Sequence, residues 1–385
     1  MLSLKYICTR WIPANAGSSL FWRRCCHGKQ SALGNPATKS LDVTSVTTRL
    51  LKLKNIALKE KLQDCGYGVS GPKAQLASRL ARGLAHYQRH CQNGAPAANL
   101  DSREIVVSID IGVRNLSFVV VDSHRHVHQW KVIDVLGDLS IPTLLQQPWQ
   151  AAWLVDNLVR EHLITSTAMV SHCCHITFAI ERQRFRTVGF SQIPDSVLFI
   201  NVLESLLYAN LLHRGASVSG YVDSNNSGGG ITTDFSINNS LENTFSAPTE
   251  LVSVNPVTVA TYFDYSELAK LAAKQVPPSR SKKPSKSLNN KLKKQLGVQL
   301  VQACLATSIQ GNTTSAQNPH SMQDISLPAW EIGRRTLSPL IVPKVLQETF
   351  LNSKKKDDMA DSFLQAVAWW GWQEARQKEL LALDD

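Results

Sequence analysis

The chain has 385 residues, room for about two domains, and 43% of them are hydrophobic, so it can form a real core and is globular. Lysine and arginine outnumber aspartate and glutamate by 41 to 30, and a formal charge of +11 favours an anionic polymer or surface as partner. The eight cysteines have neither the spacing of a disulfide framework nor a C-x-x-C pair, which points to a reducing compartment, and no run of about 18 apolar residues marks a transmembrane helix.

From Met1 to Ser40 there is no Asp or Glu, while Lys5, Arg10, Arg23, Arg24, Lys29 and Lys39 are spread among apolar residues and serines. Organelle import machinery reads such termini, so residues 1–40 are predicted to be a mitochondrial presequence; the alternative is a disordered basic arm. From Ser45 to His90 the apolar residues recur at helical spacing, with a break at Gly66-Tyr67-Gly68 and a second helix starting near Ser70-Gly71-Pro72-Lys73 and carrying Leu76, Leu80 and Leu84 on one face. The run Leu58-Lys59-Glu60-Lys61-Leu62 through Gly66 to Ser70-Gly71-Pro72-Lys73-Ala74-Gln75-Leu76 and Arg79-Leu80 resembles the SAP motif, a short DNA-binding module. The resemblance implies a small all-α helix-loop-helix over 45–90 in which Lys73 and Arg79 meet DNA; the alternative is a helical hairpin that binds nothing. Residues 91–102 read as a linker.

A second domain is predicted over 103–382. Ile105 to Ile109 and Leu116 to Val121 read as buried strands around a turn with Gly112, Arg114 and Asn115, and His126 to Val135 as a third strand of an antiparallel meander. A helix from about Trp149 to His162, a strand Ile176 to Ile180, an apolar helix Ser196 to His213, a strand Leu251 to Val254 and a terminal helix from Asp358 to about Leu381 follow. That order predicts an α/β fold of the RNase H-like kind, a mixed five-stranded sheet with helices on both faces. Residues 217–248 and 306–327, rich in Ser, Asn, Gly, Gln and Thr, read as flexible insertions. Between them Arg280, Lys282, Lys283, Lys286, Lys291, Lys293 and Lys294 form a basic block, either a solvated loop or a phosphate contact. His124, His126 and His128 on an edge strand read as solvated, and His172-Cys173-Cys174-His175 lacks the ligand spacing of a structural zinc site.

The chemistry lies in acids from three separated segments: Asp110 within the first strand, Glu181 at the end of a neighbouring one, and Asp358 with Asp361, three apart on one helical face. Taken singly, the helix acids are explained by capping and Glu181 by an ion pair with a nearby arginine. Asp110 interrupts a buried strand, where a bare carboxylate costs several kcal/mol unless a cation compensates it. Taken together, the acids suit two Mg²⁺ ions about 3.5 to 4 Å apart, able to activate water and stabilise a leaving oxygen in phosphodiester hydrolysis.

The segments Ser108-Ile109-Asp110-Ile111-Gly112-Val113-Arg114-Asn115-Leu116-Ser117, Ile180-Glu181-Arg182-Gln183-Arg184-Phe185-Arg186 and Lys355-Lys356-Asp357-Asp358-Met359-Ala360-Asp361-Ser362 resemble the motifs of the fungal mitochondrial Holliday-junction resolvases, relatives of bacterial RuvC. The resemblance spans about 105 to 380. It implies a Mg²⁺-dependent endonuclease of the mitochondrial matrix, with Mn²⁺ able to substitute, that cuts two opposing strands of a four-way DNA junction symmetrically as a homodimer, without membrane or small-molecule cofactor. Asp110, Glu181, Asp358 and Asp361 match the family's catalytic, metal-binding acids, and Asp357 is an alternative fifth because an Asp-Asp pair lets the register slip by one. Arg114, Arg182, Arg184, Arg186, Lys291, Lys293 and Lys294 are the expected DNA contacts of this domain. The apolar helix Val197 to Leu212 is either the dimer interface or packed on its own sheet. A nuclease on RNA–DNA hybrids and an inactive mitochondrial DNA-packaging protein are the competing functions.

Overall fold

The computed structural model describes residues 40–94, 103–168, 170, 173–183, 193–218, 249–265, 294–305, 331–332, 335–336 and 340–384. The expected presequence, Arg184, Arg186, Lys291, Lys293 and most of the two insertions lie outside these residues.

A hairpin of long β-branched strands starts the central sheet. β1 (Arg103–Ile111) and β2 (Asn115–Asp122) are antiparallel, with Asp110 opposite Ser117, and β3 (Val127–Asp134) extends the meander. α4 (Ile141–Gln146) and α5 (Pro148–Leu158) lead to β4 (Cys173–Glu181), which returns parallel to β1. The numbering starts at α4 because three helices, α1 (Val43–Leu51), α2 (Asn55–Asp64) and α3 (Lys73–Gly94), precede the sheet. After β4 come α6 (Asp195–His213), β5 (Ser217–Val218), β6 (Thr249–Val254), α7 (Pro256–Tyr262), helical residues 294–305 (α8), the short hairpin β7 (Glu331–Ile332) and β8 (Arg335–Thr336), α9 (Lys344–Asn352) and α10 (Lys356–Asp384). The strand order β3-β2-β1-β4-β6-β5 is the mixed, RNase H-like arrangement. Among the described residues it has six strands rather than five, because Ser217 and Val218, expected to open an insertion, pair parallel to Glu250 and Leu251 as a two-residue edge.

The two-residue period of β1 divides its side chains between two cores. Ile105, Val107, Ile109 and Ile111 join Phe118, Phe178 and the buried face of α6, Phe199, Leu203, Leu207 and Leu211. Val106, Ser108 and Asp110 face the other way, toward α10. There Trp130, Phe363, Trp369 and Trp370 fill a second core, and Trp130 stacks on Phe350 at 4.8 Å. Buried polar side chains seat α10 on the sheet: Ser108 donates to the Ser362 carbonyl at 2.8 Å, the hydroxyls of Ser117 and Ser362 lie 2.8 Å apart, Trp130 donates to the Met359 carbonyl at 3.0 Å, and Gln365 donates to the Ala179 carbonyl at 2.7 Å.

The N-terminal helices are three, not two. Lys52 to Lys54 interrupt the first predicted helix, and α3 runs on to Gly94, into the predicted linker. They form a third core around Leu58, Leu62, Leu76 and Leu80 that takes in Ala375, Leu380 and Leu383 of α10. Lys61 pairs with Glu379 at 2.6 Å, and Arg376 donates to the Cys65 carbonyl at 3.0 Å while its guanidinium lies over the Tyr67 ring. The helical unit is therefore seated on the far half of α10.

At the end of the sheet away from Asp110, Asp122 is fully buried. His128 lies 2.9 Å from its carboxylate, Arg103 bonds it at 3.0 Å, and the His126 backbone N–H donates to it at 2.9 Å. Burial works to raise its pKa, but hydrogen bonds from the His126 side chain, from His128 and from the His126 backbone outweigh burial and hold it far below the usual range. The edge histidines expected to be solvated thus include a half-buried partner, His128, for a buried carboxylate.

A carboxylate cluster as candidate active site

β1 and β4 run parallel with Ile109 beside Ile180, so the next residue on each strand, Asp110 and Glu181, emerge side by side at the carboxyl end of the sheet. After burial, the Glu181 charge is the largest influence on the Asp110 carboxyl. α10 then presents its first turns to the same point. Ser362, bonded to Ser117 directly across from Asp110, fixes the rotation of the helix and so aims Asp361 and Asp358 at the strand ends. A tight turn also brings in Asn115: the Gly112 N–H donates to its carbonyl at 2.8 Å, and a Cβ at Gly112 would stand 2.7 Å from that oxygen. From this turn the Asn115 amide donates to the Asp358 carboxylate at 3.2 Å.

The acids repel one another. Burial, and then the charges of Glu181, Asp361 and Asp358, push the Asp110 carboxyl well above the carboxylate range. Burial followed by the Glu181 charge pushes Asp361 up to about 7, against the opposing pull of Lys294. Asp358 is raised by burial and by its neighbour Asp357, with Lys294 and Lys355 opposing. Groups raised in this way keep their protons to higher pH than ordinary carboxylates and give them up to a bound cation.

Asp357 behaves differently. Its carboxylate receives the Lys294 ammonium at 2.6 Å, and although burial works to raise its pKa, that hydrogen bond, the lysine charge and backbone N–H groups take it below the usual range.

The donor set is all carboxylate oxygen, which suits a hard divalent cation, and mutual repulsion gives Asp110, Glu181, Asp358 and Asp361 a reason to bind one. Their side chains do not already enclose an ion: among the described residues, no three His, Cys, Asp or Glu side chains stand in ion-holding geometry. The strand register and the first turns of α10 bring the four acids to one end of the sheet.

The predicted DNA contacts divide. Arg182 is exposed beside Glu181, and Arg114 is exposed but paired with Asp134 at 2.9 Å. Lys294 begins α8, and Lys73 begins α3. Arg79 is a correction: it is 4% exposed and donates to the carbonyls of Gly68 at 2.5 Å and Ser70 at 3.0 Å, holding the loop before α3 rather than facing outward.

Gln183 donates to the Ile111 carbonyl at 3.0 Å, while its N–H donates to Glu204 of α6 at 3.1 Å. It ties the ends of the two acid-bearing strands together. Asn115, Ser362 and Gly297 also shape the site, without a role expected from the sequence. Asn115 was signalled by its position in the turn after Asp110. Gly297 of α8 had no signal, although a Cβ there would lie 3.9 Å from the Asp361 carboxylate and 3.4 Å from the Tyr265 hydroxyl.

Residues 106–379 match the family described as mitochondrial resolvase Ydc2 / RNA splicing MRS1. The chain is 27% identical over 287 residues to "Cruciform cutting endonuclease 1, mitochondrial" of Saccharomyces cerevisiae, covering 71% of this chain and 69% of that one. It is 25% identical over 272 residues to the protein of the same name from Schizosaccharomyces pombe, covering 70% and 78%. Among solved structures, the yeast mitochondrial Holliday junction resolvase Ydc2 aligns with a TM-score of 0.43 and 19% identity over 84% of this chain and 95% of that one. RuvC of T. thermophilus, in complex with a Holliday junction substrate, aligns with a TM-score of 0.22 and 10% identity over 49% and 88%. The family match spans well over half the chain and includes all four acids, and the protein belongs to the mitochondrial resolvase Ydc2 / RNA splicing MRS1 family, homologous to the yeast cruciform cutting endonucleases.

Proposed function

We propose that the protein is a metal-dependent endodeoxyribonuclease of mitochondria that resolves four-way DNA junctions by paired, symmetric nicks. The observation that carries this reading is the group of partly buried acids, Asp110, Glu181, Asp358 and Asp361, gathered at one end of the sheet with raised pKa values. A protein that only bound or packaged nucleic acid would gain nothing from it, because each like charge opposes the others. The same reasoning favours hydrolysis over the RNA-splicing role that the family description also names.

Asp110, Glu181, Asp358 and Asp361 would hold divalent cations, Mg²⁺ with Mn²⁺ able to substitute, which when bound supply an activated water and neutralise charge at the phosphate. The chain's own residues do the rest. Asn115 orients Asp358, Gln183 locks the two strand ends together, and the pins at Ser362 and Gln365 keep α10 from sliding along the sheet. Arg182 and Arg114 flank the acids as contacts for DNA phosphates. Glu379, where the N-terminal helices are clamped, lies 18 residues beyond Asp361, about 27 Å along a straight helix. Lys73 and the exposed Arg82 of α3 would there meet a duplex arm several base pairs from the cut.

A four-way junction has two-fold symmetry, so two copies of the chain related by a two-fold axis would offer one site to each of two strands. Only one face of α6 is buried on its own sheet, and Leu198 on another face is 41% exposed, which supports this helix as the dimer contact. The homologues' names and the acid-free N-terminus support mitochondrial targeting.

The test is incubation with a synthetic mobile junction, a linear duplex and an RNA–DNA hybrid, with and without Mg²⁺, mapping every cut strand. Paired cuts in opposing junction strands, with little cutting of the other two, are expected. Preferential cutting of the hybrid would establish the RNase H reading, and tight binding with no cutting in Mg²⁺ or Mn²⁺ would establish a binder.

A further inference from the structure

We infer that Lys294 contacts the reacting phosphate, and that Asp357 is a positioning residue for this lysine rather than a metal ligand. The inference rests on the nuclease reading and assigns two of its residues. Asp357 and Asp358 are neighbours at the start of α10, yet they have different partners. Asp358 accepts from Asn115 at 3.2 Å on the side of β1 and β2, whereas Asp357 takes the Lys294 ammonium at 2.6 Å on the side of α8. An Asp-Asp pair in a first helical turn must diverge in this way, because successive side chains on a helix point about 100° apart.

α8 holds the lysine against the cluster. At Gly297, one turn after Lys294, there is no side chain between α8 and α10, and a Cβ there would meet the Tyr265 hydroxyl at 3.4 Å, the Leu364 side chain at 3.7 Å and the Asp361 carboxylate at 3.9 Å. The lysine side chain remains 56% exposed, so it stands at the mouth of the site, and its charge acts on both Asp358 and Asp361. An ammonium has three N–H donors and Asp357 occupies one, leaving two for a phosphate oxygen. A donor held at the point where negative charge develops on a phosphate stabilises the transition state without reorganising, and removing one such donor lowers the rate by about 10²- to 10³-fold.

The experiment measures binding as well as cutting. Full-length protein without divalent metal is titrated with four-way junctions that carry one neutral methylphosphonate at a time at the phosphates around the crossover. For the native protein one position is expected to weaken binding by roughly 10-fold or more, the size of one charged hydrogen bond. Lys294→Gln should be insensitive at that position, Lys294→Arg should retain the sensitivity, and Asp357→Asn should reduce it. If Lys294→Gln weakens binding equally at every position, the lysine acts only on folding or overall charge and the inference is overturned. A protein that cuts no junction but keeps the Lys294 coupling loses the nuclease reading and not this one. In the second arm, Mn²⁺ binding is measured by calorimetry. Asp358→Asn should weaken it and Asp357→Asn should leave it unchanged; equal loss in both variants overturns the assignment of Asp357.

Discussion

Asp110 and Glu181 stand side by side at the ends of the parallel strands β1 and β4, and the Glu181 charge adds to burial in raising the Asp110 carboxyl. Two like charges this close oppose each other's ionisation, so the Asp110 carboxyl keeps its proton to higher pH than an ordinary carboxylate unless a cation is present. Asp110→Asn keeps the shape and removes one of the repelling charges. It should fold with stability within about 1 kcal/mol of the native protein, or above it, while losing junction cutting and retaining junction binding. Urea unfolding and gel-shift titration beside a cleavage assay check this, and a variant that fails to fold would contradict it.

The same repulsion predicts a dependence on pH. Asp361 is pushed up to about 7 by burial and Glu181, from an ordinary value of about 4 in an unfolded chain. The folded state therefore holds a proton that the unfolded state releases. The associated stability is present in full below about pH 4 and is lost as pH rises toward about 7. In EDTA the native protein should be more stable at pH 5 than at pH 8, and Asp361→Asn should flatten that slope. Divalent metal must displace the same protons, so its apparent affinity should rise over this window.

Ser362 offers a test of how the acids are aimed. Its fully buried hydroxyl lies 2.8 Å from that of Ser117 and donates to the Met359 carbonyl at 3.0 Å. Ser362→Ala leaves the Ser117 hydroxyl without this partner and should cost about 1 to 3 kcal/mol in urea unfolding. It should also lower the single-turnover cutting rate at saturating enzyme, since the helix that carries Asp358 and Asp361 loses its register pin. Lost stability with an unchanged rate would separate the pin from the site.

The order of elements and the acid-bearing positions were legible in the sequence because both rest on local signals. Continuous β-branched runs gave β1, β2 and β4, and a polar residue inside such a run drew attention to Asp110. The signals failed where partners are distant in the chain. Arg79 has the spacing of a surface cation, but it reaches back to Gly68 and Ser70 and becomes a buried loop clamp. Lys294 was one of seven basic residues in its block, and its pairing with Asp357, 63 positions away, depends on the packing of α8 against α10. The two-residue strand β5 was hidden in a polar stretch because its pairing comes from β6.

Arg79 thus separates two roles that the same residue type could have. Arg79→Gln should destabilise the N-terminal helices by about 1 to 3 kcal/mol, since two loop carbonyls lose a charged donor. The dependence of junction affinity on salt should not change. Lys73→Gln, at the half-exposed start of α3, should do the reverse, leaving unfolding alone and lowering the salt slope by about one counterion. Thermal melts and titrations at several salt concentrations distinguish them, and a changed salt slope for Arg79→Gln would return it to the DNA surface.

α6 is apolar around much of its circumference and long enough by length and composition to cross a membrane, yet every fourth residue from Phe199 to Leu211 is buried in the core of this domain. The helix is covered by its sheet and by α4 and α5, where Asn210 and Arg214 bond Asp156, and its outer side presents Leu198 with the small residues Ser205 and Ala209, a surface on which a second copy fits with the symmetry a junction demands. Leu198→Glu places a charge on the uncovered side without touching the buried face. It should shift sedimentation from dimer to monomer and convert paired resolution into single nicks on the junction. Each acid cluster lies wholly within one chain, so nicking should survive the loss of pairing; a monomer with no nicking would mean that the site needs its partner, and an unchanged dimer would move the interface off α6.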